Sequence, residues 1–586
     1  MIEQQLALEQ NMLDAGVARY HRIKDTAEQA GRAAETSYAQ RLMPNLCIDL
    51  ANAIDAAKTP VRKAGRQHSY VALLQHIDSN QAAYITLRVI FDSLTLNMPL
   101  TALAITLGTR IEDQIRFIRF ENNHEKFYKS IMEDFKRKNT TAYRHMHRVL
   151  VKKAREKEDG WIDWTTNERI HLGTKLIELC ILSTGIIEKV VYREARNKTV
   201  SRIIATDDAL EWINDHVKHA ELLHPETGPC IVPPLDWTGL DDGGFFSAAL
   251  QRRVPFVKTK SATHRSAISK ADYSVPMRAV NEMQKTGWAV NKEVHDVLKE
   301  VWRRNLGIGL PQSEPIEIPE CPIAKDIDIT ELPDGSPDKD KFHAWKRDAA
   351  AAYGEERERV AKSIQLSRVF SMAEKYRVYD AFYFVYTCDF RGRVYASSPG
   401  FSPQGADFAK GLLHFSEGME LGEEGVSHLA IHGANVYGYD KDTYNGRVQW
   451  VRDNQDAILA VAENPLGSNE RSYWANADKP YQFLAFCFEW RGYCREGVGF
   501  QSHLPCALDG SCNGLQNFSA LLLDSIGGSA TNLTRTDKPQ DIYQRVADVC
   551  IRRLQGSSNE LAKIWLELGI TRKLTKKPVM TLPYGS

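Results

Sequence analysis

Leu504-Pro505-Cys506-Ala507-Leu508-Asp509-Gly510-Ser511-Cys512-Asn513-Gly514-Leu515-Gln516-Asn517-Phe518-Ser519 is the stretch on which the reading of this chain turns. The apolar run Leu504 to Leu508 predicts a short strand that delivers Asp509 into a glycine turn. Most Asp-Gly pairs only make a turn. A carboxylate at a strand end beside a glycine is nevertheless well placed to reach solvent and a ligand, so Asp509 is the first candidate site residue. The last residues supply a chemical complement: Thr571-Arg572-Lys573-Leu574-Thr575-Lys576-Lys577-Pro578. A helix here would stack Arg572 and Lys576 on one face, and like charges at that spacing cost roughly 0.2–0.5 kcal/mol per pair. An anion such as a triphosphate would offset that cost. A basic helix end, favoured by the macrodipole, is the equal alternative. Pro578 and Pro583 predict that any helix here starts late or is kinked.

Outward from these two stretches, the 586 residues exceed what one hydrophobic core holds, roughly 250–300 residues, so two or more domains are expected. With 43% apolar and 26% charged residues the composition is that of a soluble globular protein. The sequence shows no membrane-length apolar run and no signal segment after Met1. The ten cysteines are scattered without a Cys-x-x-Cys pair, which fits a reducing cytoplasm. Lys+Arg and Asp+Glu tie at 75 each, so any nucleic-acid affinity must come from local clusters rather than from the sum. One such cluster is Lys58, Arg62, Lys63 and Arg66; taken alone it reads as a solvated face. Helices are predicted over Ala82 to Phe91 and Ala102 to Phe120, a hairpin over Glu188 to Ile204, and a proline-rich linker over Pro311 to Asp340. A long charged helix follows from Phe342 to Tyr379. A strand then alternates Phe382, Phe384 and Tyr386 with Tyr383, Val385 and Thr387.

Three segments, in this order, carry a resemblance. They are Asp389-Phe390-Arg391-Gly392-Arg393-Val394-Tyr395 with Pro403-Gln404-Gly405 and Lys410-Gly411 after it; Asp509 to Gln516; and Thr571-Arg572 through Lys576 to Tyr584-Gly585-Ser586. Together they resemble the single-subunit DNA-directed RNA polymerases of T-odd bacteriophages. The similarity runs over essentially the whole chain and is strongest after Trp345.

The resemblance implies a mostly helical α+β fold, the right-hand polymerase of palm, fingers and thumb behind a helical promoter-binding domain. The expected divisions are 1–300 for promoter binding, 301–380 for linker and thumb, 381–418 for the first part of the palm, 419–500 for a palm insertion, 501–525 for the palm with the first catalytic aspartate, and 526–586 for the fingers. By resemblance Asp509 and Gly510 hold two Mg²⁺ ions, and Asp509, Lys576 and Tyr584 are catalytic. Arg572, Tyr543, Gly585 and Lys441 would bind the NTP. Arg391, Arg393 and Lys410 would meet template or nascent RNA. Arg62, Lys63 and Arg66 fall where the family enters an AT-rich minor groove, a place that favours arginine, and Asn197 falls where it wedges the duplex open. The implied partners are promoter and template DNA, nascent RNA, NTPs and no membrane, in the cytoplasm of an infected bacterial host. The family's second catalytic aspartate belongs to a downstream His-Asp pair, and no upstream His-Asp dipeptide is expected to replace it. The sequence as it stands is therefore expected to be a fragment ending in the fingers, inactive in nucleotidyl transfer alone and open to completion by a separate C-terminal fragment. Two rivals remain at this point: a DNA polymerase of the same architecture, which would show paired acids of a proofreading domain before the palm, and a non-catalytic DNA-binding remnant.

Overall fold

The computed structural model describes all residues except 60–67, 97, 138–139, 141–142, 158–160, 196–197, 222–224, 260, 324–332, 334, 508–509 and 582–586, and backbone only at 144, 194–195, 198 and 216–221. The chain forms two compact units. One is Gln10–Glu226; the other joins Met1–Glu9 to Thr227–Ser586. Helix α1 (Ile2–Gln29) begins in the second unit and continues in the first.

The Gln10–Glu226 unit is built on helices α2 (Ser37–Lys58), α3 (Ser79–Leu94), α4 (Leu100–Asn123) and α5 (Thr166–Thr184). Apolar residues recur at helical spacing: Leu46, Leu50 and Ile54; Ala83, Leu87 and Ile90; Leu103, Leu107 and Ile111; Leu172, Leu176 and Cys180. All of them enter one buried core. Each buried Leu or Ile contributes roughly 1.5–3 kcal/mol. The starts of the helices are encoded locally. Asp78 caps α3 by accepting from Asn80 N at 3.0 Å and Gln81 N at 3.1 Å, and Thr165 with Glu168 forms a capping box on α5. Helices α4 and α5 meet backbone to backbone. A Cβ on Gly173 would lie 2.0 Å from the Ala104 carbonyl oxygen, and one on Gly108 would lie 2.4 Å from that of Arg169. The expected hairpin is present as β1 (Ile187–Ala195) paired antiparallel with β2 (Lys198–Ala205), in register from Ile187↔Ala205 to Arg193↔Thr199.

The larger unit is also mostly helical, with three short antiparallel pairs among the described residues: β3 (Trp288–Val290) with β6 (Leu413–Phe415), β4 (Tyr386–Cys388) with β5 (Val394–Ala396), and β7 (Met419–Glu420) with β8 (Gln501–Ser502). Helix α6 (Lys292–Arg303) follows β3. Helix α7 (Pro337–Tyr376) starts with Ser336 as its cap and Pro337 in its first turn, so the proline-rich segment ends slightly before Asp340. Helix α8 (Asp407–Gly411) lies between β5 and β6. Next come α9 (Gly422–Tyr437), α10 (Pro480–Glu496), α11 (Asn513–Leu521), α12 (Ile542–Gln555) and α13 (Arg572–Thr581).

Two expected strands differ from what is observed. Phe382 and Phe384 join Tyr376 and Phe401 in an aromatic core, but Val385 is buried too. Both faces of this run are therefore covered, and regular pairing is confined to Tyr386–Cys388. No strand forms over the described residues 504–507. Pro505 has no N–H to donate to a ladder, and the pairing falls earlier, with Met419↔Ser502 and Glu420↔Gln501.

Helix α10 is apolar on nearly all sides, with Phe483, Leu484, Phe486, Cys487 and Trp490 buried, and it anchors its neighbours. Gly433 of α9 lies under the Phe486 ring, and a Cβ on Gly411 of α8 would come within 2.7 Å of the Tyr481 carbonyl oxygen.

Candidate functional site

The Asp389 to Lys410 motif folds into a self-contained assembly. The turn between β4 and β5 is closed by Asp389, whose Oδ1 accepts from the backbone N–H of Arg391 at 2.8 Å and of Arg393 at 3.0 Å. Desolvation pushes this carboxyl upward, but those N–H groups and the Arg391 guanidinium at 3.1 Å hold it below the usual range. Gln404 clamps β5, accepting from Ala396 N and donating to the Val394 carbonyl. Gly405 packs on Ala409, where a Cβ would be only 2.7 Å away, and Lys410 follows in the last turn of α8. Arg391 and Arg393 are thus exposed on a rigid turn.

A second assembly forms where the loop after α9, the start of α12 and helix α13 meet. Asp541 caps α12, its Oδ1 accepting from Tyr543 N at 3.1 Å and Gln544 N at 3.2 Å. Its Oδ2 accepts from Arg572 Nε at 2.5 Å and lies 3.9 Å from Lys441 Nζ. The guanidinium of Arg572 lies 5.5 Å from the Tyr543 ring centroid and the Lys576 ammonium 5.9 Å from it. Thr575, buried between these cations, donates to the Tyr543 carbonyl at 2.9 Å. The like charges predicted on one helix face are real, and one ring and one carboxylate accommodate them. Burial, with the Cys512 thiol as hydrogen-bonding neighbour, pushes the Tyr543 phenol up to about 12, so it remains a proton donor through the neutral range. Asp541 has burial pushing it up, and Arg572 with the Gln544 N–H holding it below the ordinary carboxylate range. The Lys441 loop is pinned nearby: Asp442 receives Lys538 at 2.9 Å and the Tyr439 hydroxyl at 3.0 Å, and its carboxyl is held down to about 2, first by Lys538.

The turn after Asp509 reaches the same assembly through Cys512, which takes the left-handed conformation at φ 69° and caps α11. Asn532 ties this turn to the α12 cap: its Nδ2 donates to Ser511 Oγ at 3.0 Å and to the Gln540 carbonyl at 2.8 Å. A Cβ on Gly510 would lie 2.1 Å from Asn513 Oδ1, so glycine lets the turn close onto α11. Helix α13 begins at Arg572 and carries Pro578 within it, rather than starting late.

Of the candidate residues, Lys441, Tyr543, Arg572 and Lys576 are brought together. Gly510 lies in the turn that leads to them, and Arg391, Arg393 and Lys410 belong to the separate assembly. Asp509, Tyr584, Gly585, Arg62, Lys63, Arg66 and Asn197 lie outside the described residues. Among the described residues no group of three or more His, Cys, Asp or Glu is assembled for a metal. A carboxylate at Asp509 beside the Gly510 carbonyl is a hard oxygen set, the chemistry a Mg²⁺ ion takes. Asp541, Cys512 and Asn532 were not read as site residues. A signal existed for Asp541 alone, as a cap before the α12 pattern.

One His-Asp dipeptide does occur upstream, at His295-Asp296 in α6. His295 is fully buried, stacked on Phe370 at 5.0 Å, with Nε2 2.8 Å from Glu374; Asp296 pairs with Arg377 at 2.9 Å. It joins α6 to α7 and has no place in the site. A cavity of about 780 Å³ belongs to the Gln10–Glu226 unit, where Arg110, Tyr143, His147 and Arg148 line it.

Comparison with known proteins adds an independent finding. A family model described as DNA-dependent RNA polymerase matches residues 419–586, and one described as DNA-directed RNA polymerase N-terminal matches residues 4–282. The chain is 34% identical to a DNA-directed RNA polymerase of Enterobacteria phage T3 and 32% identical to T7 RNA polymerase of Escherichia phage T7. Each match covers 100% of this chain and 69% of the relative. A mitochondrial DNA-directed RNA polymerase of Arabidopsis thaliana is 27% identical over 88% of the chain and 57% of its own length.

Proposed function

The chain belongs to the single-subunit, phage-type DNA-directed RNA polymerases, and from that premise we propose that the Asp541–Tyr543–Arg572 assembly is its nucleotide triphosphate site. The convergence of Lys441, Arg572 and Lys576 on one ring and one carboxylate supports this reading. Three cations with solvent-accessible side chains suit a triphosphate's charge, and a protonated Tyr543 is an additional donor. Asp509 and the Gly510 carbonyl would hold Mg²⁺ in the adjoining turn. When bound, the ions supply activation of the RNA 3′-hydroxyl and stabilisation of the leaving oxygen. Arg572 and Lys576 neutralise and orient the triphosphate. Tyr584, with Gly585, selects ribonucleotides through the 2′-hydroxyl. Arg391, Arg393 and Lys410 contact template or nascent RNA. Arg62, Lys63, Arg66 and Asn197 engage the promoter duplex within an N-terminal promoter-binding region that precedes thumb, palm and fingers. Among the described residues no helix is long and apolar enough to cross a membrane, which suits work in the cytoplasm of an infected host.

The test is RNA extension on an assembled RNA–DNA scaffold with Mg²⁺, by the chain alone and mixed with the C-terminal remainder of a T7-like relative. Extension that is lost in Asp509→Asn and sharply reduced in Arg572→Ala is expected from whichever preparation is active. Extension only on mixing assigns the second catalytic aspartate to the added piece. Scaffold binding without extension in both preparations would sink the catalytic reading and favour a DNA-binding remnant.

A further inference from the structure

Asp541 has more charge than its structural task requires. Capping α12 uses one oxygen, Oδ1, and a neutral asparagine caps a helix about as well. The second oxygen, Oδ2, is held by Arg572 and faces Lys441 at 3.9 Å. These two cations come from different elements: Lys441 from the loop after α9 and Arg572 from the first turn of α13. Without an anion between them they would repel each other. Carboxylate and phosphate oxygens are interchangeable partners for a guanidinium and an ammonium. The Asp541 side chain is only 14% exposed and its carboxyl is held ionised, so this anion stays in place at neutral pH.

We propose that Asp541 is a positioning residue that stands in for a substrate phosphate. Its carboxylate holds Arg572 and Lys441 around one oxygen, Oδ2, and yields Arg572 when a triphosphate arrives. The proposal rests on the reading of Lys441, Arg572 and Lys576 as the triphosphate residues. It goes further in assigning an acid to a cationic site, where a second negative charge lowers resting affinity and makes release of product pyrophosphate easier.

The experiment is calorimetric titration of inorganic tripolyphosphate into the full 586-residue chain, in metal-free buffer at low salt. The chains compared are wild type, Asp541→Asn, Arg572→Ala and the double variant. Thermal melting checks each fold, and Asp541→Ser, another strong cap, replaces the asparagine variant if that fails to fold. Asp541→Asn should bind roughly fivefold more tightly than wild type, the scale of one charge contact near 4 Å in water. That gain should disappear when Arg572 is absent. If wild type binds and Arg572→Ala weakens binding while Asp541→Asn changes nothing, or its gain survives in the double variant, the stand-in role is overturned and the triphosphate reading stands. If wild type does not bind, or Arg572→Ala leaves binding unchanged, both are overturned.

Discussion

Two arginine–carboxylate clusters in this molecule use the same chemistry to opposite ends. In the Gln10–Glu226 unit, Glu112 and Arg116 of α4 have side chains 2% and 3% exposed. Glu112 accepts from Arg169 Nε at 2.8 Å, Trp164 N at 2.8 Å and Trp161 Nε1 at 3.3 Å, and Arg116 pairs with Asp163 and lies over the Trp161 ring. Cation and anion balance there, and the central Glu112–Arg116 pair is shut off from water while Asp163 closes its outer side. At Asp541 the partner Arg572 is 41% exposed, and Lys441 and Lys576 leave positive charge in excess. A balanced, sealed cluster fixes a fold. An unbalanced one with an open side is poised for an added anion.

Removing one partner should separate the two most sharply. Glu112→Ala leaves Arg169, the Trp164 N–H and the Trp161 Nε1–H without their buried acceptor, while Arg116 keeps Asp163, and is expected to cost about 3–5 kcal/mol, read by denaturant unfolding. Acid titration sharpens the contrast from the larger unit. Burial holds His414 and His432 down to about 4 from an ordinary 6.5. The unfolded chain takes up those protons near pH 6.5 and the folded chain only near 4, so stability falls as pH drops across that window, by about 3 kcal/mol per histidine. His432→Gln should flatten that limb. Asp407 and Glu489, raised by burial, act in the opposite sense and are common to both proteins compared. Next in size, Gly173→Ala forces a Cβ to 2.0 Å from the Ala104 carbonyl oxygen and is expected to cost about 1–3 kcal/mol by separating α4 from α5. The smallest change is Arg572→Ala. Breaking this half-exposed pair should shift unfolding by less than about 1 kcal/mol, although it removes a main contact for phosphate. A loss near that of Glu112→Ala would erase the distinction between the clusters.

What the sequence reveals follows the range of the interactions. Helices of the smaller unit are legible because Leu103, Leu107 and Ile111 repeat at short spacing, and the Asp389 turn because its partners are two and four residues away. The cations Arg572 and Lys576 are visible as a pair, but what they face is not: Asp541 is 31 residues distant. Glu112 meets Trp161 and Arg169 across 49 and 57 residues, with no periodic signal to announce it. Leu504 to Leu508 misleads as a strand because apolar content outweighs the missing donor of Pro505. His295-Asp296 shows that a dipeptide spelled like a catalytic pair can be a helix-to-helix fastening.

The start of α1 carries a consequence for synthesis. Gln5 and Glu9, both fully buried, hold the backbone N–H groups of Ile231, Phe246 and Ser247, across 226 to 238 residues of chain. At ~5–20 residues per second of translation, those partners leave the ribosome roughly ten to fifty seconds after the helix does. The Gln10–Glu226 unit can collapse in that interval. The first two turns of α1 must wait, exposed to chaperones, and can dock only after Ser247 has emerged.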